Sequence, residues 1–553
     1  MIVRMQHLDL LCVAADRDAT LERLRGLGAV HLDLAGAVGA EFTALCGELA
    51  DAEKAVRLVL KARGKEDVPV RAHSVAEVLA LEADRETLKG EQERLQREIK
   101  VYEPYGDFDP ELARKLLDRG IDIADRLPAK LPEMRLNRMQ EKLARVENRI
   151  RIDTAKIAQV DEKPILKAHP ELRDRMAFAA AKEKMEAHGA VAVVSGWIPE
   201  SQVSRLTSLS REAGWGVLLR EPAEGETPPT LIEPPKFVRP VKALFEGLGI
   251  APAYDEADVS VPFMCYFTLF FAMLVGDGAY GAIFLVGTWL MRRKLPRSWF
   301  VLLSVFSLAT IAWGALSDTW FGATLLQESV KVDGVDRLVP RWPWAEHVLG
   351  PAHWLSGADA APGHNYDNMM FLCFTIGVSH LMLARLWNGI CKLNDRSCLS
   401  EFGWAGVVLF MYVLTNSIVG IFSGVPTWCF WMFGVSFLTL FWQAKGMDKG
   451  MLFLNTMSVL GDIISYVRLF AVGLASVQVA ANFNSMAVGL GLPIWIKWLP
   501  LVLIMLVGHG LNLAMAGLSV LVHAVRLNTL EFSNHKGVSW AGFSFKPFTK
   551  TKE

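Results

Sequence analysis

Hydrophobic and polar positions divide the chain into two unlike parts. Residues 1–250 hold most of the charged side chains, whereas the part from residue 260 to residue 532 holds most of the Trp and Phe. That second part contains long apolar runs at 260–291, 299–322, 367–390, 403–422, 427–443, 452–488 and 499–532. Because ~20 apolar helical residues cross a bilayer, each run is long enough, or nearly so, to be a membrane span. The pattern predicts a polar N-terminal part followed by a helical membrane part.

Short alternating segments flank long charged segments in the polar part. The alternation predicts strands at residues 3–13, 29–33 and 188–199 and a short helix at 21–27. Between them, the Leu and Val spacing of residues 74–102 is typical of a coiled-coil arm, and residues 134–161 look like the returning antiparallel arm. We therefore predict two α/β lobes joined by a helical hairpin, with an ordinary helical domain as the alternative interpretation.

Basic residues set the predicted topology of the membrane part. A single crossing by residues 260–291 would place the Arg292–Arg297 cluster outside, which the positive-inside rule opposes. A hairpin that folds back near Gly276-Asp277-Gly278 would instead keep every basic cluster inside. We predict eight crossings with both termini cytoplasmic, an interpretation that fits an N-terminus without a signal-peptide core. The loop 323–366 would then lie outside.

The domain boundaries follow from these patterns. We predict a cytoplasmic domain at residues 1–240, a linker at 241–259, a transmembrane domain at 260–532 and a cytoplasmic tail at 533–553. A dense run of Pro and acidic residues just before position 240 supports the first boundary.

Two of the apolar runs are too long for a simple span. Residues 499–532 would extend about 50 Å as one helix, against ~30 Å of hydrocarbon, and residues 452–488 are similar. Each helix must tilt, kink or project from the bilayer. An ordinary anchor does not need such length, whereas a surface that follows a curved ring would.

Ionisable side chains inside these two runs are the main candidates for chemistry. Arg468 has about sixteen residues of its run before it and twenty after it, so its charge cannot easily reach the headgroups. Charge inside a membrane is costly and indicates function by default. A structural ion pair, for instance with Asp462, is the alternative interpretation.

The last run carries a polar stripe at helical spacing. Its members recur three and four residues apart, which places them on one face of a helix. They are His509, Asn512, Ala516, Ser519, His523 and Arg526. Such a stripe must face protein or water rather than lipid. An ion path is the prediction, and a polar seam between helices is the alternative.

Other polar residues are weaker candidates for lining aqueous half-channels. They are Asp462, Ser465, Tyr466, Gln478, Asn482 and Glu531. Asp277 and Asp318 lie near the predicted external ends of their segments. For these two and for Glu531, solvation at a helix end is at least as good an explanation as function.

Composition narrows the function classes. The formal net charge is −1 and no basic tail or patch occurs, so nucleic acid is not an expected partner. The seven cysteines are scattered without a CxxC pair, which favours reduced structural thiols over metal or redox work. No GxxxxGK[ST] loop occurs, so nucleotide hydrolysis is expected on another chain, and no cofactor is predicted.

Several motifs resemble the V/A-type ATPase subunit a family, called subunit I in bacterial and archaeal complexes. Residues 231–240 (LIEPPKFVRP) resemble the family's segment before the membrane, and residues 270–281 (FFAMLVGDGAYG) resemble its first membrane motif. The turn at residues 195–199 (SGWIP) and the hairpin arms also fit. The resemblance covers essentially the whole chain, although the soluble arms are short for the family.

Two further motifs carry the family's arginines. Residues 461–475 (GDIISYVRLFAVGLA) are similar to the segment with the essential arginine, which falls on Arg468. Residues 521–532 (LVHAVRLNTLEF) resemble the last-helix motif, whose second arginine falls on Arg526. Some relatives place a histidine eight residues after the first arginine and a glutamate ten before the second. This chain has Ser476 and Ala516 there, so His509, Asn512 or His523 would have to supply the polarity.

The resemblance implies the stator subunit of a rotary ATPase or ATP synthase, embedded in a bacterial-type cell membrane. It implies two half-channels through which protons or sodium ions reach a rotor ring of proteolipid c-type subunits. The other implied partners are peripheral-stalk subunits that bind residues 1–240, a central-stalk subunit, the catalytic nucleotide-binding subunits of the assembled complex, and membrane lipid.

Two other classes of protein remain as alternatives. A secondary ion-coupled transporter would show repeated halves with broken helices around a midplane site, and no internal repeat is visible. A membrane-anchored scaffold protein would not need arginines deep inside two overlong helices. Co-purification with a ring of small hydrophobic subunits would separate the rotary class from both.

Overall fold

The computed structural model describes residues 2–34, 36, 38–63, 74–119, 127–128, 130–332, 335–341, 366–489 and 493–550. The chain forms two compact units. The N-terminal unit contains Met5–Pro222 together with the end of the chain from Lys546. The membrane unit contains Ala223–Phe545 together with the first four residues.

A single antiparallel sheet organises the described part of the N-terminal unit. Its strands are β1 (Met5–Val13), β2 (His31–Leu32), β3 (Glu186–His188), β4 (Val191–Pro199) and β5 (Gly216–Arg220). The order is β2-β4-β1-β5, and β3 also pairs with β4. The prediction of two α/β lobes is therefore wrong, because β1 and β4 pair directly, with Leu8 opposite Gly196. Joining both segments buries the apolar faces of these short strands in one core, where Leu8 and Leu10 are fully buried.

Helices make up most of the rest of this unit. They are α1 (Arg17–Leu27), α2 (Ala40–Ala62), α3 (Val75–Tyr102), α4 (Pro110–Asp118), α5 (Leu136–Ala158), α6 (Lys163–Lys184) and α7 (Val203–Ala213). The predicted arms α3 and α5 lie side by side, and Lys142 pairs with Glu91 at 2.6 Å. Arg149 lies 3.7 Å from Asp84, so the two helices run antiparallel. A supercoiled coiled coil remains a prediction.

The end of the chain packs into the N-terminal unit. The backbone N–H of Phe548 donates to the carbonyl of Val30 at 2.8 Å, and its ring is buried in the core under the sheet. Nδ1 of His31 lies 3.0 Å from both the N–H and the carbonyl oxygen of Lys546, and it donates to that carbonyl when the ring is protonated. Burial lowers the pKa of His31, while the hydrogen bond to the backbone of Lys546 and the charge of Asp33 oppose that shift.

The membrane unit is almost entirely helical. Its helices are α8 (Val241–Leu248), α9 (Ser260–Val275), α10 (Gly278–Leu290), α11 (Arg297–Ser317), α12 (Asp367–Cys391), α13 (Cys398–Val419), α14 (Thr427–Gln443), α15 (Asp448–Ile464), α16 (Val467–Val488), α17 (Ile494–Ser519) and α18 (Ser533–Lys536). A hairpin of β6 (Gln327–Val332) and β7 (Val335–Pro340) follows α11. Most of the remaining predicted external loop, 342–365, lies outside the described residues.

Five segments of the described chain are long and apolar enough to cross a membrane. They are α11, α12, α13, Lys449–Val488 and Trp498–Lys536. The eight predicted crossings are not confirmed, because α9 and α10 are 16 and 13 residues long and α14 has 17. The chain bends by 117° between α9 and α10, at the position where the fold-back is predicted.

Close backbone approach explains the glycines around this bend. Gly276 has φ +70°, a conformation that glycine adopts without strain. A Cβ on Gly314 of α11 would lie 2.1 Å from the nitrogen of Gly278, and a Cβ on Gly473 of α16 would lie 2.6 Å from the carbonyl of Met273. The bend is therefore packed between α11 and α16 at distances that only glycine permits.

Two aspartates that were expected to be solvated are instead buried. Asp277 caps α10 by accepting from the N–H of Ala279 at 2.9 Å, and it also accepts from Gly322 at 2.8 Å. Asp318 accepts from backbone N–H groups of the segment that follows α11, including Gln327 at 3.1 Å. Both carboxylates satisfy backbone donors, so helix-end solvation is the wrong explanation for them.

The two overlong spans are confirmed. Lys449–Val488 covers 40 residues and is interrupted only at Ser465-Tyr466, between α15 and α16. Trp498–Lys536 covers 39 residues and passes through π-helical turns at 520–524 and 527–532 before α18. π-Helical turns are rare in proteins, and those that occur are often found at functional sites. Arg526 lies between these two turns.

Candidate functional site

Arg468 lies immediately after the break between α15 and α16. Its Nε donates to the carbonyl of Ser465 at 3.0 Å, and its Nη2 donates to Oε1 of Glu531 at 3.1 Å. The side chain is 26% exposed, so the guanidinium group is partly accessible from outside the unit. The alternative of a structural ion pair for Arg468 is thus met, but its partner is Glu531 and not Asp462.

Arg526 converges on the same carboxylate. Its Nε lies 3.4 Å from Oε1 of Glu531, and its side chain is 53% exposed. Glu531 itself is buried, and within the described part of the chain its Oε2 has no hydrogen-bond partner. Of the two explanations left open for Glu531, helix-end solvation is wrong, because this carboxylate is buried and bridges the two arginines of the two overlong spans.

The surface around Arg468 has an unusual composition for a membrane helix. The outward positions recur every three or four residues and are small or polar, apart from one isoleucine. They are Gly461, Ile464, Arg468, Ala471, Ala475, Gln478 and Asn482. Exposed amide side chains within a membrane span require water or another protein to cover them.

A second polar cluster lies further along α16 and α17. The hydroxyl of Tyr280 lies 2.8 Å from Nδ1 of His509 and accepts from Nδ2 of Asn512 at 2.9 Å. Asn512 also accepts from Oγ of Ser476 at 3.2 Å, and Nε2 of His509 lies 3.1 Å from Oδ1 of Asn484. This cluster, which we call the Tyr280 cluster, links α10, α16 and α17.

The polar stripe of the last helix faces the protein for most of its length, which fits the polar seam between helices and leaves the ion path a prediction. Asn512 and Ala516 are buried, and His509, Ser519 and His523 are half-buried. Arg526 is the exposed member. Nδ1 of His523 is buried and, among the described residues, has no hydrogen-bond partner.

A second aqueous cavity was predicted beside Gln478 and Asn482. In the structure, only Gln478 lines a cavity. A cavity of about 300 Å³ is bounded by residues of α9, α11 and α16, among them Gln478, Gly473, Met273, Ser317 and Thr319. Asn482 lies outside its lining and is exposed.

Ser465 and Tyr466 both have hydrogen-bond partners within the membrane unit. Ser465 donates to the carbonyl of Gly461 at 3.0 Å, within its own helix. Tyr466 is fully buried, and its hydroxyl lies 2.9 Å from Nδ1 of His380. The ring of His380 is stacked against Phe532 at 4.4 Å.

Asp462 has a different partner from the expected one. Its Oδ2 lies 3.0 Å from Nε2 of His535. Nδ1 of His535 accepts from Nε of Arg385 at 3.1 Å, and Nη1 of Arg385 donates to Glu401 at 3.2 Å.

Sequence reasoning missed several members of these clusters. They are Tyr280, His380, Arg385, Glu401, Asn484 and His535. Arg385 and His380 lie inside an apolar run, so the rule that led to Arg468 could have found them too. The others lie at helix ends or look like ordinary polar residues, and only the packing of distant helices brings them together.

Comparison with curated proteins gives relatives of one kind, and no family model matches the chain. The chain is 31% identical to the V-type ATP synthase subunit I of Borreliella burgdorferi, over 65% of this chain and 60% of that protein. It is 29% identical to the V-type ATP synthase subunit I 1 of Treponema pallidum, over 99% of this chain and 100% of that protein. It is 24% identical to the A-type ATP synthase subunit I of Methanocaldococcus jannaschii, over 76% of this chain and 64% of that protein. The match thus spans less than two thirds of the Borreliella and Methanocaldococcus proteins.

The apolar spans and these relatives together define a membrane-embedded subunit of a V/A-type ATPase. The chain belongs to the V/A-type ATPase subunit a family, whose bacterial and archaeal members are called subunit I.

Proposed function

We propose that this chain is the stator of a rotary ATPase or ATP synthase and carries protons or sodium ions past a rotor ring. The observation that carries the proposal is the convergence of Arg468 and Arg526 on one buried oxygen of Glu531. Two overlong spans each contribute one arginine, and both guanidinium groups remain partly exposed. Two partly exposed guanidinium groups inside a membrane can bind an acidic group on a neighbouring chain.

The rotor partner is a ring of proteolipid c-type subunits with one buried carboxylate each. An ion that enters by one half-channel neutralises this carboxylate, which can then face lipid because its charge is gone. When the carboxylate returns to Arg468 and Arg526, their positive charge favours its ionised form, and the ion leaves through the second half-channel. The arginines also keep ions from leaking between the half-channels.

The outward face of α16 supports contact with such a ring. Small residues at Ala471 and Ala475 allow another helix to approach closely, and exposed Gln478 and Asn482 need a polar or protein environment. The length of the two spans also suits a surface that follows a curved partner.

We assign two groups of residues to the half-channels. The Tyr280 cluster, with the cavity beside Gln478, would serve the external side. Asp462 and Glu531 would serve the cytoplasmic side, which assumes that both termini are cytoplasmic. Ser465, Tyr466, Ser519 and His523 lie along the same two spans and remain candidates for these routes.

The N-terminal unit would hold the stator still. In this proposal its helices bind peripheral-stalk subunits, a central-stalk subunit turns with the ring, and other chains of the complex bind nucleotide. This division of labour couples ion flow to ATP hydrolysis or synthesis without a nucleotide site in this chain.

The test is an Arg468→Ala variant in membrane vesicles that contain the whole complex. We expect ATP-driven ion uptake to be abolished while the ring and nucleotide-binding subunits still co-purify with the chain. Arg293→Ala, at an exposed position after α10, is the control and should transport normally. Coupled transport that survives Arg468→Ala would refute the proposal.

A further inference from the structure

Four side chains form a continuous chain of hydrogen bonds beside the arginine site. Glu401 accepts from Arg385 at 3.2 Å, Arg385 donates to His535 at 3.1 Å, and His535 lies 3.0 Å from Asp462. They come from α13, α12, α18 and α15, and we call them the Asp462 support. Glu401 and His535 are buried, whereas the side chain of Asp462 is 23% exposed.

The protonation of His535 is dictated by its neighbour. Arginine is always protonated and has no acceptor, so Nε of Arg385 must donate to Nδ1 of His535. Nδ1 therefore carries no hydrogen, and the ring hydrogen lies on Nε2, where it donates to Oδ2 of Asp462. His535 cannot pass a proton on to Arg385, because Nδ1 is already occupied by the donated hydrogen bond.

The backbone around His535 is held as firmly as its ring. Nδ2 of Asn388 donates to the carbonyls of His535 at 3.2 Å and Lys536 at 3.1 Å. Nζ of Lys536 donates to Oδ1 of Asn388 at 2.6 Å and lies 4.4 Å from the ring centroid of Trp387. Lys392 gives Glu401 a second partner at 2.7 Å, so the carboxylate that holds Arg385 is itself fixed.

We propose that Arg385 and His535 are positioning residues that hold the carboxylate of Asp462 in one orientation, with one oxygen bound and the other oxygen open to an ion. Oδ1 of Asp462 makes no hydrogen bond to the described residues, and the side chain lies six positions before Arg468. Because His535 blocks proton transfer toward Arg385, a proton taken up at Asp462 leaves from Asp462 itself and does not pass through His535. This inference rests on the proposed function and identifies how one half-channel residue is prepared for it.

Two substitutions of His535 separate its two contacts. In His535→Gln the amide nitrogen replaces Nε2, so the donor to Asp462 is kept and the acceptor for Arg385 is lost. In His535→Asn the amide group lies near Nδ1, so the acceptor for Arg385 can be kept while the donor to Asp462 is lost. In vesicles with the whole complex, we expect His535→Asn to lower ATP-driven ion uptake about tenfold, as is typical when a residue that orients a functional side chain is lost. His535→Gln keeps the donor to Asp462 but leaves Arg385 without its acceptor, so it should lose less uptake than His535→Asn.

A double-mutant cycle with Asp462→Asn completes the test. If His535 acts through Asp462, adding His535→Asn to Asp462→Asn should cause no further loss of uptake. Equal losses in His535→Gln and His535→Asn, or a further loss in the double variant, would overturn the inference. Should both His535 variants fail to assemble, Arg385→Lys takes their place in the same cycle, since it keeps the charge and displaces the donor.

Arg468→Ala is measured in parallel to separate the two proposals. Continued uptake in Arg468→Ala would remove the proposed function and the inference with it. Loss of uptake in Arg468→Ala, combined with a wild-type rate in His535→Asn, would remove only the role assigned to His535 and Arg385.

Discussion

Nη2 of Arg468 donates to Oε1 of Glu531 at 3.1 Å, although the two residues lie 63 positions apart in the chain. The contact joins the two overlong spans at the level of the arginine site. It also supplies an acidic partner from within the chain, so under the proposed function the arginine keeps a counter-charge when no rotor carboxylate faces it. The carboxylate that holds the site together would thus compete with the rotor for the same guanidinium group.

Glu531→Gln tests this relationship. The substitution keeps the shape of the side chain but leaves two guanidinium groups without their shared counter-charge. We expect the detergent-solubilised complex to lose ~1–3 kcal/mol of stability, the usual cost of removing one partner of a buried charged contact. Ion uptake should fall in parallel. Thermal unfolding and vesicle transport measure the two effects.

Glu246→Gln is the matched control for that experiment. Glu246 is exposed on α8, so its neutral variant should unfold and transport like the wild type. If the complex with Glu531→Gln has unchanged stability and transport, the bridging role of this carboxylate is contradicted.

The hydroxyl of Tyr280 is the centre of the second polar cluster. Tyr280→Phe removes one of the two partners of His509 and one acceptor of Asn512, which keeps its contact with the carbonyl of Ser476 at 2.8 Å. We expect a modest stability loss of ~1 kcal/mol together with a larger loss of ion uptake. Tyr412→Phe removes a comparable hydroxyl contact to Thr375 at 2.8 Å, outside the cluster. If both variants lose transport equally, the Tyr280 cluster has no special part in the ion route.

The sequence predicted what is local in the chain. Overlong spans follow from run length, and Arg468 follows from the cost of charge inside a membrane. The partner of Arg468 could not be found this way, because Glu531 looks like a solvated residue near a helix end. Only the packing of the π-helical turn at 527–532 against α9 and α12 makes it a buried bridge.

Non-local pairing explains the other misses. Two separate lobes were predicted because β1 and β4 lie far apart in sequence, and alternation does not say which strands pair. Asp318 was misjudged for a similar reason. Its donors are backbone N–H groups of the following segment, and backbone donors leave no mark on a sequence.

Gly473 should tolerate no side chain. A Cβ there would lie 2.6 Å from the carbonyl of Met273, so α16 would have to move away from α9 and carry Arg468 with it. We expect Gly473→Ala to reduce both the yield of assembled complex and ion uptake. Gly287→Ala on α10 meets nothing within 4 Å and is the control, with wild-type assembly. Normal assembly and transport in Gly473→Ala would show that this close approach is dispensable.

Acid should weaken the junction between α2 and α5 in the N-terminal unit. Arg63 donates to Glu162 at 2.9 Å and to the carbonyl of Val160 at 2.7 Å, just beyond the end of α5. The hydrogen bond from Arg63 lowers the pKa of Glu162 to about 2. A depressed carboxyl pKa contributes stability above the unfolded value of ~4.3, and that contribution is lost as the pH falls toward 2.

Hydrogen exchange of α2 and α5 in the whole chain measures this contribution. We expect Arg63→Ala to lower the protection free energy of these amides at neutral pH by ~0.5–1 kcal/mol, so that they exchange faster. The effect is small because the ion pair lies near the surface. The difference from wild type should shrink as the pH falls from 4.5 toward 2, since Glu162 becomes neutral in both proteins. Arg94→Ala, which removes an exposed pair with Glu98 at 3.7 Å on α3, should leave exchange at that junction unchanged. A difference between Arg63→Ala and wild type that stays constant across this range would assign the stabilisation to the carbonyl contacts of Arg63 instead of its charge pair.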